Sequence, residues 1–197
     1  FTAATPQDML DTLYADDNLD IQTIETKGVT MIAFNTQRAP MNDVNVRKAI
    51  ASAINLEDIQ TNVIKDAGEA ATCMPNSKVL YTIEPEKWED YVANADYCKY
   101  DLEKAKEYMA QSDYPDGLEI NMIISDNSLR YSIALAIQEA LKEINITLNL
   151  VQVGGDEHTA YQSGAILDEN GDRDYDMILC GWEADYPDIS GNIEPLY

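Results

Sequence analysis

The sequence is poor in the residues that build metal and phosphate sites. It holds one histidine, His158, and no Cys-x-x-Cys pair, so a tetrahedral zinc site lacks its usual ligands. Gly-x-Ser-x-Gly, Ser-x-x-Lys and a glycine-rich phosphate loop are all absent, which removes the common signatures of acyl and phosphoryl transfer. Positive charge is scarce. Thirteen Lys and Arg stand against 36 Asp and Glu, for a formal net charge of −23. Such a surface repels phosphate backbones and excludes nucleic acid as a partner. No stretch approaches the roughly 18 consecutive apolar residues that span a bilayer. There is no signal peptide or sorting motif to read. Of three cysteines, Cys73 and Cys98 lie in loop-like sequence, where a bridge in an oxidising compartment and free thiols both fit, and Cys180 lies in an apolar run.

What is present reads as one α/β domain. The 197 residues, 45% of them apolar, can bury a sizeable core. Phe1 is no initiator and the last residues are apolar, so an excised piece of a longer protein is expected. Thr5, Pro6 and Asp8 open a helix that runs to about Tyr14. Alternation predicts a strand over 19–25, and a short apolar run a second over 29–35, the two forming a hairpin. Asp43 opens a helix whose apolar positions Val46, Ala49, Ile50, Ala53 and Ile54 share one face, and Asn55 caps the next, to about Ile64. Residues 66–100 show no period and read as an irregular excursion with little regular structure. Asp101 caps a helix to about Ala110. The remainder alternates: strand 118–124, helix 128–143, strand 146–153, helix 156–164, acidic loop, strand 175–181. Residues 101–197 therefore predict a βαβαβ unit with parallel strands, within a mixed sheet on which helices pack.

Several acidic clusters invite chemistry. From Asp168 to Asp176, oxygen ligands recur at alternate positions as in calcium loops, but Arg173 takes the sixth position and Leu179 the twelfth, so a solvated turn is expected. Asp43 and Arg47, one helical turn apart, predict a surface ion pair. The segment Cys180-Gly181-Trp182-Glu183-Ala184-Asp185-Tyr186-Pro187-Asp188 is the richest. It closes the last strand with aromatic surface, fixed negative charge and backbone amides. Ligands of open α/β sheets bind just outside the carboxyl ends of strands, which places this segment in a crevice with Asp185 poised for a cation. Glu183 and Asp185 also fit a carboxylate pair for glycoside hydrolysis. Trp182 fits both a ligand wall and packing beneath the loop.

Two segments taken together resemble a known family. They are Met31-Ile-Ala-Phe34-Asn35-Thr36, continuing through Pro40-Met41, Asp43, Val46-Arg47, Ala49-Ile50 and Asn55 to Ile59, and Gly181-Trp182-Glu183-Ala184-Asp185-Tyr186-Pro187-Asp188. Their order and separation resemble the family 5 extracellular solute-binding proteins, the oligopeptide, dipeptide and nickel receptors of ABC importers. Asp101-Leu-Glu-Lys104-Ala105 adds a weaker mark. Met41 in place of Phe, Leu56 in place of a basic residue and Ser112-Asp113 in place of Gly are departures confined to scaffold. The resemblance implies a type II periplasmic-binding-protein lobe: residues 1–197 as the C-terminal lobe of a two-lobed receptor, with 1–65 as lead-in, 66–100 as excursion and 101–197 as the α/β part. It implies no catalysis and no cofactor. The expected partners are a peptide, the N-terminal lobe of the same chain, and permease subunits, with membrane contact only through a lipid anchor, outside the cytoplasm. The implied ligand set is Gly181, Trp182 and Glu183 beside an extended ligand, Asp185 on its α-amine, and Tyr186. A same-family receptor for a sugar oligomer, nickel or haem complex, and a glycoside-active enzyme, remain the alternatives.

Overall fold

The computed structural model describes residues 7–22, 28–71, 84–95, 99–183, 185 and 191. Cys73, Cys98, Tyr186, Pro187 and Asp188 lie outside them. The elements follow in the order α1 (Gln7–Tyr14), β1 (Gly28–Phe34), α2 (Val44–Ala53), α3 (Leu56–Ile59), α4 (Pro85–Asn94), α5 (Leu102–Ala110), β2 (Leu118–Ser125), α6 (Ser128–Lys142), β3 (Ile146–Val153), α7 (Gly155–Ser163) and β4 (Met177–Glu183).

Side-chain caps mark where α2, α3, α5 and α6 begin. Asp43 accepts the N–H of Asn45, Asn55 that of Asp58, Asp101 that of Lys104 and Asn127 that of Arg130. Each satisfies a first-turn donor that has no partner within its helix. After α3 the chain widens into a π-helical turn, Gln60–Ile64. Two expectations are corrected. Of the strand expected over 19–25, residues 19–22 form none and 23–25 lie outside the described residues; Leu19 is exposed, and the alternation at 19–22 is that of a solvated segment, in which the Gln22 amide donates to the Asp20 carboxylate. The 66–100 region contains α4, with Pro85 in its first turn. It buries no residue and starts without a side-chain cap, so only the short spacing of Trp88, Tyr91 and Val92 marks it in the sequence.

The sheet runs β1-β4-β2-β3. β1 is antiparallel to β4, while β4, β2 and β3 are parallel. This is the predicted βαβαβ unit in a mixed sheet, with β4 placed on the opposite side of β2 from β3. Helices cover both faces. Ile120, Met122, Ile124, Leu148, Met177 and Leu179 join the α2, α5 and α6 side chains in the larger core. Ile123, Ile178 and Cys180 join Tyr175 and Tyr161 on the other face. The central strands therefore read as continuous apolar runs, as doubly covered strands do.

One polar network ties the amino end of β4 to the β1–α2 connection. The buried Asn35 side chain donates to the carbonyls of Arg173 (2.9 Å) and Tyr175 (3.0 Å). Arg38 reaches carboxylate oxygens of Asp168 (3.4 Å), Asp176 (3.7 Å) and Asp174 (3.8 Å). Asp168 accepts the N–H groups of Asn170 and Asp172, and these bonds, ahead of the opposing desolvation and with help from Arg38, hold its carboxyl below the usual carboxylate range. The acidic loop is thus a pinned turn, and among the described residues no group of His, Cys, Asp and Glu gathers as a metal site. Asp43 and Arg47, expected as a surface pair, make no direct ion pair; against the opposing desolvation, the guanidinium helps lower the Asp43 carboxyl only through its field, behind the backbone bonds that act on it. Arg47 donates to the Met41 carbonyl (2.6 Å), and Asp43 is occupied by the N–H groups of Asn45 and Asp113.

Candidate functional site

The site begins where two strands part. The β2–β4 ladder holds only Met122 opposite Met177 and Ile123 opposite Ile178, yet β4 continues to Glu183. Its outer neighbour β1 follows it throughout, from Phe34 opposite Met177 to Gly28 opposite Glu183. Just before this ladder Asn35 donates its N–H to the Asp176 carbonyl at 2.9 Å. Backbone groups in an antiparallel pair alternate in direction, so Ile178, Cys180 and Trp182 turn theirs toward β1. Leu179, Gly181 and Glu183 turn theirs the other way, into the crevice that β2 leaves at its carboxyl end.

Two helices furnish that crevice. From α6 comes Arg130. Its N–H is fixed by the Asn127 cap (3.0 Å), and its guanidinium is 3.4 Å from the Ser125 hydroxyl at the end of β2. A Cβ on Gly181 would lie 2.7 Å from Arg130 Nη2. The guanidinium therefore rests against the bare Cα of Gly181, an approach that any side chain there would obstruct. Arg130 is half-buried and has no carboxylate partner among the described residues. Its field reaches His158 and Cys180. Burial first, then this field, holds His158 below its ordinary value, against the opposing Leu179 bond and Asp126. Burial pushes the Cys180 thiol up, which keeps it protonated and inert.

From α7 come His158 and Gln162. The buried imidazole donates Nε2–H to the Leu179 carbonyl at 3.0 Å. The Gln162 amide donates to the Gly181 carbonyl at 3.2 Å. Four residues of helix rise about 6 Å and two residues of strand about 6.7 Å, so side chains one turn apart meet alternate carbonyls. His158, Gln162 and Arg130 were not reached by sequence reasoning. The available signals were the lone histidine four residues before a glutamine, and an arginine in the first turn after a strand.

Among the expected ligand residues, Gly181, Trp182 and Glu183 end β4 together at this crevice. Trp182 is half-buried, and its indole N–H donates to the Gly191 carbonyl at 2.9 Å, tying the strand end to the chain nine residues on. Asp185 is exposed, two residues past the strand. Tyr186 lies outside the described residues. A separate groove of about 340 Å³ opens between the π-helical turn and the C-terminal half of α6, floored by Ala53, Ile59, Val63 and Ala136. It shares no residue with the crevice, whose position at the parting of β2 and β4 is the stronger pointer to a ligand.

The fold and its crevice define a class: an α/β lobe of the type II periplasmic-binding-protein kind. The family follows from comparison. The model of bacterial extracellular solute-binding proteins, family 5 (middle), matches residues 1–197, and the chain belongs to that family. It is similar to a probable D,D-dipeptide-binding periplasmic protein of Escherichia coli K12, 25% identical over 187 residues, covering 94% of this chain and 33% of the relative. It is 36% identical over 106 residues to heme-binding protein A of Haemophilus influenzae, covering 53% of this chain and 18% of that protein. Among solved structures, a dipeptide-binding protein from Pseudoalteromonas sp. SM9913 in complex with Met-Leu superposes with a TM-score of 0.76 at 24% identity, covering 98% of this chain and 36% of that one. The chain thus spans about a third or less of these proteins' length. The family is one of extracellular solute-binding proteins and not of enzymes, and the reading of Glu183 and Asp185 as a hydrolytic pair falls with it. No helix among the described residues is long and apolar enough to cross a membrane.

Proposed function

We propose that residues 1–197 form the C-terminal lobe of a two-lobed extracytoplasmic receptor that delivers short peptides to an ABC permease. The observation that carries this reading is the crevice edge of β4, which runs past its β2 ladder and presents the backbone of Gly181 and Glu183. An extended peptide pairs with such an edge through main-chain bonds, which gives affinity with little dependence on side chains. The crevice also carries both signs of charge. Asp185 is exposed beyond the strand and takes the ligand α-amine; Arg130, half-buried and without a carboxylate partner among the described residues, takes a ligand carboxylate. Trp182 and Tyr186 flank the ligand, with Trp182 held through its indole by Gly191.

The similarity to a heme-binding protein supports a second reading, a same-family receptor for a different solute. Against a haem ligated by this lobe stands its one histidine, whose Nε2 is engaged by the Leu179 carbonyl in a buried position. The test is calorimetry on the full-length receptor with short peptides bearing free and acetylated N-termini. Free peptides should bind at least tenfold more tightly, and Asp185→Ala should abolish the difference. Equal affinity for both forms would remove Asp185 from the amine site. Native mass spectrometry of the purified receptor, showing a co-purified sugar or haem in place of peptide, would favour the second reading.

A further inference from the structure

The two α7 side chains that reach β4 differ in a way that bears on ligand entry. His158 is buried, and its bond goes to Leu179, the first crevice-side carbonyl beyond the β2 ladder. Gln162 is only half-buried, and its longer bond goes to Gly181, at the part of the edge that faces the crevice. The backbone of Gln162 is fixed independently of this bond. Its carbonyl accepts Arg173 Nη1 at 3.2 Å, and Gly164 closes the helix in the left-handed conformation (φ 76°) against the same guanidinium. The amide can therefore leave Gly181 by side-chain rotation alone, with α7 unmoved. A carboxamide N–H is chemically a stand-in for a peptide N–H: same donor, same length of bond, same acceptor.

We propose that Gln162 is a displaceable occupant of the ligand edge. It holds the Gly181 carbonyl in the unliganded lobe and gives it up to a main-chain N–H of the ligand, while His158 braces Leu179 permanently. This rests on the reading of β4 as the peptide-pairing edge, and it adds a requirement to it: the ligand must present an amide donor opposite Gly181. A structural cap and a displaceable occupant predict opposite signs on removal. If Gln162 were part of the fold, losing it would leave a carbonyl unsatisfied and weaken both fold and binding. If it competes with the ligand, its loss costs the fold little, because an open-edge carbonyl finds water, and binding tightens.

The experiment uses the full-length receptor carrying Gln162→Leu or His158→Leu, with trialanine as probe. Thermal unfolding without peptide should leave Gln162→Leu close to wild type and lower His158→Leu by several degrees. Calorimetry should show Gln162→Leu binding trialanine about 2–10-fold more tightly, the range that corresponds to a net hydrogen bond of roughly 0.5–1.5 kcal/mol. Weaker binding by Gln162→Leu, or a melting-temperature loss equal to that of His158→Leu, overturns the proposal. Wild-type receptor that fails to bind trialanine at millimolar concentration counts against the peptide reading itself, and the thermal comparison then decides alone whether Gln162 is displaceable or structural.

Discussion

Replacing Asn35 by aspartate is the sharpest test of the fold, because it changes one NH2 group into an oxygen at nearly constant volume. The Asn35 side chain is 3% exposed and points its two amide hydrogens at the Arg173 and Tyr175 carbonyls, while its own oxygen accepts the Gln37 N–H at 3.3 Å. Aspartate loses both donated bonds, each worth about 0.5–1.5 kcal/mol net. It also turns a buried carboxylate toward two carbonyl oxygens. Arg38, 3.3 Å from the Arg173 carbonyl, offers partial compensation but is already surrounded by Asp168, Asp174 and Asp176. The expected loss at pH 7 is about 3–5 kcal/mol, within the range for an imperfectly compensated buried charge. Burial raises the new carboxyl's folded pKa, so the penalty applies above that value and is relieved as the pH falls through it. Asn35→Leu should lose about 2–3 kcal/mol with no such pH dependence. Urea unfolding of the full-length receptor, followed by tryptophan fluorescence at pH 7 and pH 5, measures both. An Asn35→Asp midpoint equal to wild type at pH 7 would refute the burial of this side chain against the 173–175 backbone.

The crevice and the lone histidine yield two more expectations. Gly181→Val should weaken ligand binding at least tenfold by calorimetry while moving the unfolding midpoint far less, because its side chain displaces the flexible end of Arg130, 2.7 Å from the position a Cβ would take. Equal losses in both would show Arg130 to be a fixed part of the core. His158 is held below its ordinary value of 6.5, chiefly by burial. Its contribution to stability is therefore complete above pH 6.5 and is lost as the pH falls from there through the lower folded value, each unit of depression being worth about 1.4 kcal/mol. The carboxylates with lowered values, Asp16, Asp43 and Asp168, start from 3.8 and add their losses only in stronger acid. His158→Phe should flatten stability between pH 6.5 and the carboxylate range; an unchanged slope would mean that another group titrates there.

Much of the fold was legible because it is written locally. Asp43, Asn55 and Asp101 each announce a helix start through bonds that span three residues or fewer. The strand–helix–strand rhythm from Leu118 onward follows from periods of two and 3.6, which a linear chain displays directly. Where a period serves no core, the reading failed. The 19–22 alternation is solvated, and α4 carries its Trp88, Tyr91, Val92 stripe without burying any residue and without a side-chain cap to announce its start. The candidate site divided along the same line. The motif from Gly181 to Asp188 marks a strand end, but nothing local says which neighbour that strand keeps and which it loses.

The sequence by itself determined the family, the βαβαβ order, the acidic character and the strand end that carries the motif, because each depends on residues close along the chain or on their totals. Only the tertiary structure decided that β4 lies between β1 and β2, that β2 lets go of it after Ile178, and that Arg130, His158 and Gln162 converge on the edge so exposed. Arg130 meets Gly181 across 51 positions of chain, and His158 meets Leu179 across 21. Such approaches are set by strand order and helix packing, which depend on the whole core at once and leave no period or spacing to read beforehand.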